Sequence, residues 1–189
     1  MVTIIISGLA GAGKSTLAKK LAEKLKLKYI CGGDVLKEIA KEEGYSPTEN
    51  WWETKEGMEF LKKRQKNFEY DKKLDEKLMK YASQGNCVIT SWALPWIFKG
   101  NAIKIWLNAS QEERARRIAK RDGISYEQAL EIVKKRDEEN IKLYKNLYGY
   151  ELGKDLEVFD LIVETDEKTP EQVEKEVLEF LKNKLEIKI

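Results

Sequence analysis

The 189-residue chain is predicted to adopt an α/β fold of three layers, in which helices flank a five-stranded parallel sheet. Strand-like apolar runs alternate with longer segments of helical periodicity, the order typical of parallel sheets. The first run, residues 2–6, is continuously β-branched, as expected for a strand that is buried on both faces. The length of the chain and its hydrophobic content of 42% fit one globular domain spanning residues 1–189.

The first half of the chain is interpreted as two strands and three helical segments. Residues 2–6 form the first strand, and a glycine-containing segment then leads into a helix. Residues 28–30 form the second strand, after which Asp34 can cap a helix that ends near Glu43. A long helical stretch covers roughly residues 54–83. Its predicted buried face consists of Met58, Leu61, Phe68, Leu74, Leu78 and Ala82.

The second half adds three strands, at residues 87–90, 102–107 and 159–164, and three helices. Each helix begins with a capping-box pattern, in which a hydroxyl residue is followed three positions later by Glu or Gln. The pairs are Ser110 with Glu113, Ser125 with Gln128, and Thr169 with Gln172. The first of these helices is expected to end near Arg121 and the second at Gly149, because glycine is favoured at helix C-termini.

The composition excludes several kinds of chemistry. The sequence has no histidine, which rules out Ser-His triads, histidine bases and histidine metal ligands. Lys and Arg (35) nearly balance Asp and Glu (33), and a net charge of +2 indicates neither a nucleic-acid nor a membrane surface. The apolar run at residues 2–6 is too short for a signal peptide or a membrane span, so a cytoplasmic protein is expected.

The segment after the first strand matches the phosphate-binding pattern GxxxxGK[ST], and it lies between a strand and a helix as that motif requires. Glycines allow successive N–H groups to turn toward an anion, and the next helix directs its positive end to the same place. Lys14 is expected to contact the β- and γ-phosphates of ATP, and Ser15 to bind Mg²⁺. The predicted nucleotide-binding residues are Gly8, Ala10, Gly11, Ala12, Gly13, Lys14, Ser15 and Thr16.

Beyond this P-loop, the chain resembles the archaeal type of cytidylate kinase, a nucleoside monophosphate kinase with the P-loop kinase fold. The likeness is carried by residues 6–25, 31–38, 112–149 and 159–166. It implies Mg-ATP-dependent phosphoryl transfer to CMP or dCMP. It also implies a helical acceptor-binding lobe near residues 34–85 and a lid near residues 117–150, whose closure excludes water from the reaction.

The chain departs from this family pattern at three positions that usually carry arginine. Lys37 occupies the first, Trp92 ends a Thr-Ser-Trp segment where the family has Glu-Gly-Arg, and Leu143 replaces an arginine of the lid. Arginine binds phosphate through a planar, two-pronged guanidinium group that these side chains lack. The acceptor is therefore expected to contact Asp34, Lys37, Arg64 and Trp92, and its identity stays open at this point.

The arginines after the fourth strand are candidates for contact with the transferring phosphoryl group. Arg114, Arg117 and Arg121 share one helix face by their spacing, and Arg117 and Arg121 are predicted to stabilise the transferring charge. Arg116 is expected to be a solvated partner of the neighbouring glutamates. Arg136 is equally compatible with either role.

The aromatic residues and Asp34 each have two possible roles. Trp92, Trp96 and the pair Trp51-Trp52 either pack in the core or stack on a base or sugar ring, and Trp92 is the strongest candidate for stacking. Asp34 either caps its helix or serves the reaction, by holding Mg²⁺ through water or by taking a proton from a hydroxyl acceptor.

Three functions are compatible with these observations. The leading hypothesis is transfer from ATP to CMP or dCMP, where the attacking phosphate oxygen is already anionic and needs no strong base. The second is a kinase of a small hydroxyl-bearing acceptor, with Asp34 as base. The third is a nucleotide-dependent ATPase that binds RNA or protein, although the balanced charge argues against nucleic acid as a partner. A monomer whose ligands are Mg-ATP and a small acceptor is expected.

Overall fold

The computed structural model describes residues 1–48, 51 and 54–185, with the backbone alone at residue 61. The described residues form a five-stranded sheet with the strand order β2-β3-β1-β4-β5. The strands are β1 (Thr3–Ser7), β2 (Lys28–Cys31), β3 (Cys87–Thr90), β4 (Ile103–Asn108) and β5 (Leu161–Glu164). Every neighbouring pair is parallel, so the carboxyl ends of all five strands meet at one edge of the sheet.

Helices cover both faces of this sheet, which confirms the predicted three-layer α/β fold. They are α1 (Lys14–Leu25), α2 (Gly32–Glu42), α3 (Lys55–Lys66), α4 (Glu69–Gln84), α5 (Leu94–Ile97), α6 (Gln111–Asp122), α7 (Tyr126–Tyr148) and α8 (Pro170–Leu185). The short helix α5 has no counterpart in the sequence prediction. None of the helices in the described residues has the length and apolar content needed to cross a bilayer.

The central strand β1 separates two hydrophobic cores because successive side chains of a strand point to opposite faces. Ile4 and Ile6 pack with apolar residues of α1 and α8, whereas Ile5 packs with those of α2 and α4. All three isoleucines are fully buried. This explains why residues 2–6 are continuously β-branched, and it fixes the P-loop that follows β1 at the middle of the sheet edge.

The long helix predicted for residues 54–83 is in fact two helices, α3 and α4. The break lies at Asn67, whose backbone is extended (φ −141°, ψ 104°) and whose side-chain oxygen accepts a hydrogen bond from the N–H of Glu69. Asparagine favours such local bonds, which compete with the helix. Met58 and Phe68 are exposed, contrary to prediction. Leu74, Leu78 and Ala82 are buried as predicted, and the side chain of Leu61 lies outside the described residues.

The prediction that Asp34 caps its helix is wrong. Strand β2 continues directly into α2, so that Cys31 is the N-cap and the two following glycines form the first turn of the helix. Asp34 lies within that first turn, where its carboxylate accepts a hydrogen bond from the Cys31 thiol at 3.1 Å.

The caps predicted for α6, α7 and α8 agree better with the structure. Both halves of the capping box are present at Ser125 and at Thr169. At Ser110 only one half forms, because the Ser110 N–H donates to the carboxylate of Asp166 and not to Glu113. Gly149 ends α7 in a left-handed conformation (φ 77°), as predicted.

Candidate functional site

The P-loop connects β1 to α1 and packs tightly against β4 and α6. A Cβ atom on Gly8 would lie 2.7 Å from the carbonyl oxygen of Leu107, and one on Gly11 would lie 3.0 Å from the carbonyl oxygen of Arg114. Gly8, Gly11 and Gly13 have φ angles of 154°, 83° and 97°, a range that other residues rarely adopt. The loop therefore needs glycine both for its conformation and for its close contact with the sheet.

A cavity of about 760 Å³ opens beside this loop. Residues 10–16 form one wall of this cavity. Trp92 lines another part of it, as do Pro170 and Val173 of α8. Most of its charged lining is cationic, contributed by Lys14, Arg116, Arg117, Lys120, Arg121, Arg136 and Lys168. A cavity with this charge and with backbone amides on one wall is suited to a polyphosphate.

Lys14 lies at the end of the P-loop with its ammonium group directed back at the loop. Its Nζ donates to the carbonyl oxygens of Gly8 (2.6 Å) and Leu9 (2.9 Å), and it lies 5.5 Å from the centre of the Trp92 ring. Burial, and then the positive charge of Arg114 and Arg136, lowers the pKa of Lys14 to about 7. The anionic phosphates of a nucleotide would restore the charge balance around this group.

The arginines of α6 have very different surroundings, although sequence spacing placed three of them on one face. Arg114 is buried in an ion pair with Asp137 of α7. Arg117 donates to the backbone oxygen of Thr165 (2.7 Å) and to its hydroxyl (3.0 Å), which holds it at the end of β5. Arg121 is exposed and pairs with Asp122.

Two further arginines line the cavity. Arg116 pairs with Glu113 at 3.2 Å, as expected, yet it also faces the cavity. Arg136 belongs to α7, far along the sequence from the P-loop, but its charge is close enough to lower the pKa of Lys14. Sequence spacing gave no means of placing Arg136, because its position depends on how α7 packs on α6.

The predicted Mg²⁺ ligand, Ser15, is the second residue of α1 and lines the cavity. Burial raises the pKa of Tyr29, and interactions with the hydroxyls of Ser15 and Thr90 oppose this rise. Ser91 is used differently, since its hydroxyl accepts from the N–H groups of Ala93 and Leu94 at the start of α5. Hydroxyl and phosphate oxygens are ligands that Mg²⁺ prefers, so this donor set fits the ion. The described residues contain no group of three or more carboxylate or thiol side chains that would bind a metal alone.

The residues predicted to bind the acceptor are divided between two places. Trp92 lies at the cationic cavity, beside Lys14 and edge-to-face with Tyr144 at 6.3 Å. Asp34 and Lys37 lie on α2, and Arg64 of α3 pairs with Asp71 at 2.6 Å. These three residues are not among those that line the cavity.

The other tryptophans are core residues where the structure describes them. Trp51 and Trp96 are both buried, and Trp96 stacks on Tyr150 with ring centres 4.2 Å apart. Trp52 lies outside the described residues.

Comparisons with known proteins identify the family of this chain. The model of the cytidylate kinase-like family matches residues 3–167. The chain is 41% identical over 180 residues to a cytidylate kinase of Sulfurisphaera tokodaii, with 94% of each chain covered. It is 39% identical to a cytidylate kinase of Pyrococcus horikoshii, covering 91% of this chain and 84% of that protein.

Solved structures with little sequence identity share the fold. A shikimate kinase from Acinetobacter baumannii superposes with a TM-score of 0.60 at 16% identity, covering 97% of this chain and 94% of that one. A gluconokinase from Sinorhizobium meliloti gives a TM-score of 0.58 at 16% identity, with 96% and 92% covered. The P-loop, its cationic cavity and the sequence matches together lead to one conclusion: the chain belongs to the cytidylate kinase-like family.

Proposed function

We propose that this protein transfers the terminal phosphoryl group of ATP to CMP or dCMP. The observation that carries the proposal is the cationic cavity around Lys14 and the P-loop, in a chain whose relatives at 36–41% identity are named cytidylate kinases. These relatives favour a phosphorylated acceptor over the hydroxyl-bearing acceptor and over a binding module without a small acceptor. An acceptor phosphate is already anionic, so Asp34 is not required as a base.

On the donor side, the P-loop amides and Lys14 would bind the β- and γ-phosphates. Arg121 and Arg136 approach the cavity from α6 and α7 and would neutralise charge on the transferring group. Arg117, held at the end of β5 by Thr165, would form the wall on the side of the donor base. Ser15 would hold Mg²⁺, and the chemistry the ion supplies when bound is neutralisation of negative charge on the phosphates.

The segments on either side of this cavity would act as two lobes. Residues 34–85 would hold the acceptor, with Lys37 and Arg64 supplying the positive charge and Trp92 lying between acceptor and donor. Residues 117–150, the C-terminal half of α6 with α7, would close over the phosphates. Closure would exclude water and so favour transfer over hydrolysis of ATP.

The test is an ADP-release assay with Mg-ATP and each of CMP, dCMP, UMP, AMP and GMP. We expect turnover with CMP and dCMP above that with the other monophosphates. Lys14→Ala should lower kcat at least about a hundredfold, because it removes charge stabilisation of the transition state. The matched control is Lys24→Ala in the last turn of the same helix, where the exposed ion pair with Glu174 contributes little.

Absence of turnover with every monophosphate, by protein that still binds ADP, would contradict the proposed acceptor. Full activity of Lys14→Ala would contradict the proposed donor site. The monomeric state remains a prediction, to be checked by light scattering.

A further inference from the structure

Arg114 is a buried cation that the phosphoryl-transfer mechanism does not use directly. Its side chain is 2% exposed, and its guanidinium donates to four oxygens on three segments. Two are the carboxylate oxygens of Asp137 on α7, at 2.9 and 2.7 Å. The others are the backbone oxygens of Ala109 before α6 (3.1 Å) and of Ala10 in the P-loop (3.2 Å).

The bond to Ala10 determines the direction of the next amide. No peptide bond of the described residues is cis, and in a planar trans peptide the C=O and the following N–H point to opposite sides. Because the Ala10 carbonyl points to Arg114, the N–H of Gly11 points away from α6. Gly11 lines the phosphate cavity, so this amide is available to an anion there.

The neighbouring arginine makes a weaker version of the same contact. Arg117 donates to the carbonyl oxygen of Ala12 at 3.4 Å, and by the same geometry this directs the N–H of Gly13. Arg114 and Arg117 lie three residues apart on α6, so their side chains are neighbours on the helix surface. They donate to the carbonyl oxygens of Ala10 and Ala12, which are two residues apart in the loop. A Cβ on Gly11 would lie 3.1 Å from the Cβ of Arg114, so the loop lies directly against this helix.

We propose that Arg114 is a positioning residue that directs the Gly11 amide toward the donor phosphates, and that Asp137 holds Arg114 in this orientation. The donor phosphates in this statement rest on the function proposed above. Asp137 follows Arg136 on α7, so the same helix that brings an arginine to the cavity also fixes the loop that binds the phosphates. A displacement of α7 that separates Asp137 from Arg114 would release the Ala10 carbonyl.

A purely structural role for this ion pair can be separated from the positioning role. Replacing a buried ion pair by apolar residues of similar volume is often neutral or stabilising for the fold. The variant Arg114→Met with Asp137→Leu should therefore remain folded while the Gly11 amide loses its orientation. Circular dichroism and thermal unfolding check the first part.

ADP binding is then measured by calorimetry, and the amide signals of Gly11 and Gly13 are followed by NMR during the titration. We expect the double variant to bind ADP at least about tenfold more weakly, since one hydrogen bond to a charged group is lost. The ADP-induced shift of the Gly11 amide should disappear, while that of Gly13 remains because Arg117 is intact. The control is Lys20→Met with Glu174→Leu, which removes an ion pair between α1 and α8 and should leave both readouts unchanged.

An unchanged ADP affinity with a normal Gly11 shift in the folded double variant would overturn the proposal. If the double variant does not fold, Asp137→Asn decides, because it keeps the shape of the pair and removes its charge. A weakened ADP affinity with a reduced Gly11 shift supports the proposal, and wild-type values overturn it. Failure of the wild-type protein itself to bind ADP would instead contradict the proposed function.

Discussion

At the scale of single residues, the surroundings of Lys14 determine how readily its side chain carries a charge. Its ammonium is partly buried near Arg114 and Arg136, and the neighbouring groups it contacts are carbonyl oxygens of the P-loop. Burial and these positive charges favour the neutral amine, which is why the pKa falls to about 7. Phosphate oxygens placed beside Lys14 would favour the ammonium again.

We therefore predict that ADP binding is linked to proton uptake by Lys14. The free protein has a pKa of about 7 at this residue, and the bound form a higher one, so affinity should be constant below about pH 7 and fall as the pH rises above it. Calorimetry at about pH 6 and about pH 8.5, in two buffers of different ionisation enthalpy, measures both the affinity and the protons taken up.

Lys14→Met is the control, because it should abolish the part of the proton uptake that belongs to this side chain. Equal proton uptake in Lys14→Met and in the wild type would show that another group, such as the nucleotide phosphate, accounts for the whole effect.

At the scale of secondary-structure elements, helices α4 and α7 are joined through a buried carboxylate. Asp75 of α4 is 3% exposed and accepts a hydrogen bond from the Tyr148 hydroxyl at 2.7 Å. Burial raises the pKa of Asp75 to about 7, and the nearby Asp71 adds to the rise, whereas Tyr148 and Arg64 oppose it. Because α4 belongs to the proposed acceptor lobe and α7 to the proposed lid, this contact joins the two.

The raised pKa predicts a pH-dependent stability. The folded state holds the Asp75 proton more tightly than the unfolded chain, so this stabilisation is fully present below the ordinary value of 3.8 and is lost as the pH rises through about 7. Urea unfolding at several pH values across this window should give a falling free energy of unfolding. Asp75→Asn, which can still accept from Tyr148, should remove most of the slope. An identical slope in the variant would mean that Asp75 does not titrate in this range.

At the scale of the whole molecule, the site exists because five parallel strands end at one edge and the central strand continues into the P-loop. Burial of Ile4, Ile5 and Ile6 in two cores fixes β1. Gly8 then passes within van der Waals distance of β4, so the loop is positioned by the sheet and by α6 together.

We predict that Gly8→Ala weakens ADP binding at least about tenfold and lowers the melting temperature. The added Cβ would meet the backbone oxygen of Leu107 at 2.7 Å, and a backbone atom of the sheet cannot move aside as a flexible side chain can. The control is Gly44→Ala, which also has a positive φ (90°) but no atom of the described residues within 4 Å of the added Cβ. It should cost only the backbone strain, about 1–2 kcal/mol, and leave ADP affinity unchanged. Equal effects of the two substitutions would contradict the steric explanation.

Local patterns in the sequence were enough to predict most of the strands and helices and the P-loop. The five strands of the described residues were predicted to within two residues of their observed ends, because each contains a run of apolar or β-branched residues. The glycine-lysine pattern predicted the P-loop conformation for a similar reason, since the glycines are needed for the loop's own backbone geometry. The division of the helix at Asn67 was missed because helical periodicity continues on both sides of it.

The sequence alone predicted the α/β fold, the P-loop and the resemblance to cytidylate kinases, and the family match confirms this resemblance. The contacts of the individual arginines follow instead from the packing of the elements. Arg114 meets Asp137, Arg117 meets Thr165, and Arg136 approaches Lys14. These partners lie on different elements, so their contacts depend on how α6, α7 and β5 pack. The spacing of residues along the chain does not predict that packing.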